Sequence, residues 1–196
     1  MKIGVLAVQG DIREHAASVE KLGHNTVLVR DARYLDELDG LIMPGGESTT
    51  MTILMKRFGL WDKLKSLIEH GMPVYGTCAG LVLLSKRVTN YPDQPTLGVL
   101  DVEVERNAYG SQTESFEARL RIPILETEIS AFFIRSPIVR SSSMKVEVLA
   151  KYGGTSVLVR QGNVLASTFH PELTDDLQVH QLFLESISLR RQGAKA

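Results

Sequence analysis

Two textures of hydrophobic and polar residues divide the chain. From Lys2 to about Arg87, short unbroken apolar runs alternate with amphipathic stretches; from Leu97 to Phe169, apolar and polar residues take turns. Unbroken runs suit strands buried on both faces and separated by helices. Lys2 to Val8 predicts the first strand, closed by Gln9-Gly10-Asp11. Asp11 is placed to cap a helix to about Leu22, with Gly23 as its stop and Ile12, Ala16, Val19 and Leu22 on one face. Strands are expected again at Thr26 to Val29 and Gly40 to Met43, around a short, partly helical segment from Asp31 to Leu38. Helices over Thr49 to Arg57 and Leu60 to His70, split at Gly59, precede a fourth strand, Met72 to Tyr75, and a helical run from Leu81 to Arg87. This order predicts an α/β fold of three layers, a mostly parallel central sheet flanked by helices. In such sheets ligands sit at the carboxyl ends of the strands.

The second half reads as antiparallel strands that extend or flank that sheet. The runs are Leu97 to Arg106, Phe116 to Ile122, Ile129 to Arg135, Val146 to Tyr152, Ser156 to Gln161 and Val164 to Phe169. Gly153-Gly154-Thr155 and Gln161-Gly162-Asn163 suit hairpin turns. Asp175 is read as the cap of a last helix to about Arg191, before a frayed tail. With no linker or repeat, residues 1–196 are expected to form a single domain.

Composition narrows the function classes. A net charge of −1 gives no reason to expect nucleic acid or an anionic membrane surface as partner. No apolar run approaches the roughly 20 residues that span a bilayer, and Met1-Lys2 runs straight into a strand pattern, so neither a membrane anchor nor a signal peptide is expected. The one cysteine excludes an internal disulfide and fits a cytoplasmic setting.

That cysteine sits in Gly76-Thr77-Cys78-Ala79-Gly80, between a strand and a helix. Small residues on both sides of a nucleophile suit a sharp elbow, with the glycines permitting the turn. The following helix would turn its N-terminal N–H groups toward the sulfur and favour thiolate. A cysteine nucleophile needs a base, and the base an orienter. Of the five histidines, His170 ends a strand and is followed by Pro171-Glu172. Residues two apart in an extended segment project to one side, so Glu172 can hold one imidazole nitrogen while the other faces Cys78. His15, His24, His70 and His180 lie in or beside helices without partner patterns and read as solvated helix surface or ends. Pro44-Gly45-Gly46-Glu47-Ser48 closes the third strand, where glycine N–H groups can approach a ligand. One such N–H, with that of Ala79, suits an oxyanion hole. Glu47 and Ser48 suit an ammonium or carboxylate, or Ser48 simply caps the next helix. Arg106 and Arg135 end strands and offer carboxylate forks, or plain surface charge. No spacing suggests a metal site, a phosphate loop or a dinucleotide cofactor.

Gly76 to Gly80 together with Phe169-His170-Pro171-Glu172 resembles the triad of class I glutamine amidotransferases. More narrowly, Pro44 to Thr50, Val104-Glu105-Arg106-Asn107, Phe133 to Pro137 and His170 to Thr174 resemble the glutaminase subunits of two-component pyridoxal 5′-phosphate synthases. The resemblance implies hydrolysis of L-glutamine to glutamate and ammonia without a cofactor, through a γ-glutamyl thioester on Cys78. His170 would shuttle protons, Glu172 would orient it, and Gly46 and Ala79 would form the oxyanion hole. Gly46, Glu47, Ser48, Arg106, Ile134 and Arg135 would hold glutamine. Ammonia would pass to a (β/α)₈-barrel synthase partner, with Gln9 and Gly10 near the docking face. The chain departs from the family pattern in having Ser111 after Gly110, where a basic residue is common. Amidotransferases of other pathways, and redox or chaperone proteins with a cysteine elbow, remain alternatives at this level.

Overall fold

The computed structural model describes residues 1–108 and 115–193. The central sheet has seven strands, in the order β10-β11-β12-β4-β3-β1-β2. Here β1 is Lys2–Leu6, β2 Asn25–Val29, β3 Gly40–Met43, β4 Val74–Thr77, β10 Glu147–Tyr152, β11 Thr155–Gln161 and β12 Val164–Ser167. The strands from β2 to β12 across the sheet run parallel, and β11 and β10 are added antiparallel. The α/β class and the mostly parallel sheet read from the sequence are therefore what the fold contains.

The reason is visible strand by strand. Every residue of β3 and β4 is buried, as unbroken apolar runs require of strands covered on both faces. Side chains alternate between two cores. Leu41, Met43 and Val74 pack with α2 (Ser48–Arg57), α3 (Leu60–Glu69) and α4 (Ala79–Leu84). Ile42 and Tyr75 turn the other way, to α1 (Ile12–Lys21) and α5 (Gln178–Gly193). Beside this body lie a three-stranded sheet, β5 (Ser85–Val88), β6 (Leu100–Glu105) and β9 (Ile138–Ser142), and a hairpin of β7 (Phe116–Ile122) with β8 (Thr127–Phe133).

Three expectations are corrected and one unforeseen strand is added. The helix after the elbow ends at Leu84, not near Arg87, because Ser85 to Val88 pairs in parallel with β6 and tertiary pairing overrides the helical preference of Lys86-Arg87. β9 carries no alternating signature, since Ser141-Ser142-Ser143 hides it, yet it pairs antiparallel with β6. The last helix starts at Gln178, capped by Asp176 through its carboxylate and the Gln178 N–H at 3.0 Å. Asp175 instead meets Lys21 at the surface at 3.3 Å. Strand β12 stops at Ser167, short of His170, which returns to β structure only through an isolated bridge to Phe132.

Candidate active site

Four neighbouring strands, β1, β3, β4 and β12, end at one rim of the sheet, and the residues that follow them meet there. Gln9, Gly46, Cys78 and His170 all line a single cavity of about 290 Å³.

Cys78 follows β4 directly and has φ 47° and ψ −101°, a left-handed conformation costly for a side chain with a β-carbon. Two main-chain bonds hold it there. Its N–H donates to the carbonyl of Ser167 at 2.9 Å, and its own carbonyl accepts from Val82 at 3.1 Å. The strained turn thus belongs to the cysteine itself. The glycines expected to permit the turn have ordinary φ and serve packing: a β-carbon on Gly80 would overlap the main-chain carbonyl of Met43, and one on Gly76 would press on Gly80. Small residues let α4 lie directly on the sheet, and that seat lifts the sulfur into the cavity. Sγ lies 4.0 Å from the carbonyl oxygen of Ile134.

His170 is anchored by its N–H, which donates to the carbonyl of Phe132 at 2.8 Å. Its Nδ1 lies 2.8 Å from Oε1 of Glu172. Glu172 reaches it from a 3₁₀ turn, Pro171–Leu173, rather than from the extended segment the sequence suggests. Oδ2 of Asp11 lies 3.4 Å from the same nitrogen. Two carboxylates facing Nδ1 fix the proton on that atom and leave Nε2 for the sulfur. Burial works against the charged ring, but the Cys78 sulfur, Asp11 and Glu172 outweigh it and hold His170 well above the usual imidazole range. For Glu172, burial is again opposed, here by His15 and His170, which keep its carboxyl far below the usual range. Gly45 forms the ring's other wall, where a β-carbon would overlap the imidazole.

At the mouth, Arg106 spans three partners. Its guanidinium donates to Glu47 Oε1 at 2.7 Å, Gln94 Oε1 at 2.6 Å and Thr49 Oγ1 at 3.1 Å, with the ring of Tyr91 stacked at 5.0 Å. Glu47, not Ser48, caps α2, accepting from the N–H groups of Thr49 and Thr50. Partial burial opposes its charge, yet the Thr50 and Thr49 bonds and Arg106 take its carboxyl down to about 2. Ser48 opens the helix, and its buried hydroxyl has no hydrogen-bond partner among the described residues. Ala79, Ile134 and the exposed Arg135, itself at φ 47°, complete the lining among the sequence candidates. Glu172 lies outside the cavity, behind His170. Gly10 also lies outside, packed so closely on the carbonyl of Gly45 that a β-carbon has no room. Gln9 crosses Gly46, and its Oε1 accepts the Glu47 N–H at 2.7 Å. Gly110 and Ser111 lie outside the described residues.

Three site neighbours escape the sequence reading. Asp11 offers no side-chain cap to α1 and instead faces His170. His15 and His180, expected at the solvent, are fully buried. The signal for both was present: His15 stands three residues after Ile12 and four before Val19, and His180 three before Phe183 and four before Leu184, on the stripes their helices bury. Asp11, His170 and Glu172 are the grouping among the described residues that could bridge a metal, with ligand atoms within 4.8 Å of one another. Nδ1 of His170 is already committed to Glu172, an arrangement that suits a base with its orienter.

The sequence profile of the SNO glutamine amidotransferase family matches residues 5–189. A protein of Kosmotoga olearia named pyridoxal 5′-phosphate synthase subunit PdxT is 55% identical over 188 residues, which cover 95% of this chain and 98% of that one. A protein of the same name from Thermotoga neapolitana is 54% identical, covering 95% of this chain and 100% of its own. A crystal structure described as a glutamine amidotransferase superposes with a TM-score of 0.91 at 48% identity, covering 95% of this chain and 98% of the other.

Proposed function

The chain belongs to the SNO glutamine amidotransferase family, and from that premise we propose that it is the glutaminase subunit of a two-component pyridoxal 5′-phosphate synthase. The observation that carries this reading is the convergence of the chain's one cysteine with His170, whose Nδ1 is hydrogen-bonded to the buried Glu172 at 2.8 Å. A cysteine that hydrolyses an amide needs an activated sulfur, an acid for the departing nitrogen and donors for the oxyanion.

Cys78 Sγ attacks the γ-carboxamide carbon of L-glutamine while its proton rests on His170. Negative charge gathers on the carbonyl oxygen, toward the N–H groups of Gly46 and Ala79. His170, kept as imidazolium by Glu172, gives its proton to the leaving nitrogen. Ammonia departs and a γ-glutamyl thioester remains. Water then attacks the thioester with His170 as base, releasing glutamate and the thiolate. Glu47, Ser48, Arg106, Ile134 and Arg135 hold the amino-acid end of the substrate, where the unpartnered Ser48 hydroxyl and the Arg106 fork supply donors. Residues 1–196 act as one amidotransferase domain, in the cytoplasm, and no helix among the described residues is long and apolar enough to cross a membrane. Ammonia is handed to a (β/α)₈-barrel synthase subunit. Gln9 and Gly10 border the docking face, and the Gln9 bond to Glu47 couples it to Gly46.

The test is to incubate the chain with glutamine, with and without the barrel subunit, and assay ammonia and glutamate. Equal amounts of both, at a rate raised by the partner, are expected; no turnover in the assembled complex overturns the reading.

A further inference from the structure

Behind Glu172 lies a pair of imidazoles that the reaction described above leaves unused. His15 of α1 and His180 of α5 are fully buried. His15 Nδ1 is 2.9 Å from His180 Nε2. His15 Nε2 is 3.1 Å from Oγ1 of Thr77, the residue before the nucleophile, and 3.4 Å from Oε1 of Glu172. The ring of Tyr75 stands edge-on to both imidazoles.

The donors and acceptors in this cluster select one arrangement of protons. An ionised Glu172 only accepts, so Nε2 of His15 carries a proton. A second proton on His15 Nδ1 would force His180 to accept at Nε2 and carry its own proton on Nδ1, which is buried without a partner. A buried unpaired N–H is rare and costly. The arrangement that avoids it has His180 Nε2–H donating to His15 Nδ1, and His15 Nε2–H donating to Glu172 and Thr77. Burial takes His180 down to about 3, in keeping with a neutral ring.

We infer that His15 is a positioning residue of the active site: its Nε2–H holds the Glu172 carboxylate ionised and aimed at His170, links it to Thr77, and is kept in the right tautomer by His180. The groups facing Glu172 are His170 and His15, with His180 and the phenol of Tyr75 behind them; Asp11 meets the same His170 nitrogen, its carboxylate oxygen within 4.8 Å of that of Glu172. The inference rests on the proposed glutaminase reading for its catalytic consequence, but the sulfur–imidazole pair it supports can be probed without glutamine.

Cys78 is the chain's only cysteine, so the rate of alkylation by iodoacetamide against pH reports that sulfur alone. His15→Asn keeps an amide near the Nδ1 position, toward His180, but falls short of Glu172; His15→Gln reaches Glu172. Without the donor, Glu172 takes up a proton at higher pH, and His170 loses its anionic partner there. In His15→Asn the acid limb of alkylation is expected to move up by about one pH unit. Its kcat for glutamine, measured with the barrel subunit, should fall about tenfold at unchanged KM. His15→Gln should return the limb to the wild-type position. A limb at the wild-type pH in both variants, with only the amplitude reduced, overturns the inference. If His15→Asn does not fold, ¹⁵N NMR of the wild-type imidazoles decides: a protonated Nε2 and a bare Nδ1 on His15 support the inference, and the reverse overturns it. Absence of glutamine turnover in the wild-type complex would remove the glutaminase reading and leave the alkylation and NMR results to stand by themselves.

Discussion

Nδ1 of His170 lies 2.8 Å from Oε1 of Glu172 although only Pro171 separates the two residues. The 3₁₀ turn at Pro171–Leu173 curls the carboxylate back under the ring that precedes it. Imidazole and carboxylate are therefore one local unit, set beside the Cys78 sulfur by a single strand end. Glu172→Gln keeps the shape and removes the charge. Its kcat is expected to fall by about 10²–10⁴ with KM little changed, as steady-state ammonia release with the partner present will show. Wild-type kcat would take Glu172 out of the mechanism.

Cys78→Ala should abolish glutamine hydrolysis, by a factor on the order of 10⁴ or more. It should still fold and bind the barrel subunit, which size-exclusion chromatography can follow. Alanine keeps the β-carbon, so the left-handed conformation at position 78 costs the variant as it costs the wild type. Retained hydrolysis would exclude sulfur as the nucleophile.

Two glycines separate activity from stability. At Gly45 an added β-carbon strikes the imidazole of His170; at Gly80 it strikes the main chain of Met43 under α4. Gly45→Ala should lower kcat severely and the unfolding free energy little. Gly80→Ala should destabilise by about 1–3 kcal/mol. Urea titrations beside the ammonia assay check both, and equal effects of the two on stability would refute the distinction.

Arg106→Lys replaces a fork that spans Glu47, Gln94 and Thr49 with a single ammonium. KM for glutamine should rise by about 10- to 100-fold while kcat changes less. An unchanged KM would remove Arg106 from substrate binding.

Acid stability carries the mark of Glu47, whose carboxyl is lowered from 4.5 to about 2. A carboxyl depressed on folding adds stability above its ordinary value, and that stability fades as pH falls through the folded value. Wild type and Glu47→Gln should therefore differ at pH 5 and converge toward pH 2 in denaturant midpoint. The difference is modest, because the Glu47 side chain is 41% exposed. A gap that widens toward acid would contradict this assignment.

Much of this was legible in the chain itself. Unbroken runs such as Gly40 to Met43 announce strands covered on both faces, and turn residues after them mark the rim where ligands bind. What escaped has physical causes. β5 and β9 exist because β6 lies between them, and a partner distant in sequence leaves no local periodicity. Asp11 has the position of a helix cap, and only the packing of α1 against the 3₁₀ turn at Pro171–Leu173 brings its carboxylate to His170 instead. His15 and His180 were polar residues on apolar stripes. Their burial was readable from helical spacing, but their partner was not, since Glu172 comes from a turn that no stripe predicts.

The bridge between His170 and Phe132 is a main-chain bond of 2.8 Å between the cavity rim and the β7–β8 hairpin, whose Phe133 also packs on Phe169 in the shared core. The imidazole thus sits at a joint between two sheets. A shift of the hairpin reaches the imidazole both through this backbone bond and through the shared core, so turnover and the melting curve are expected to respond together.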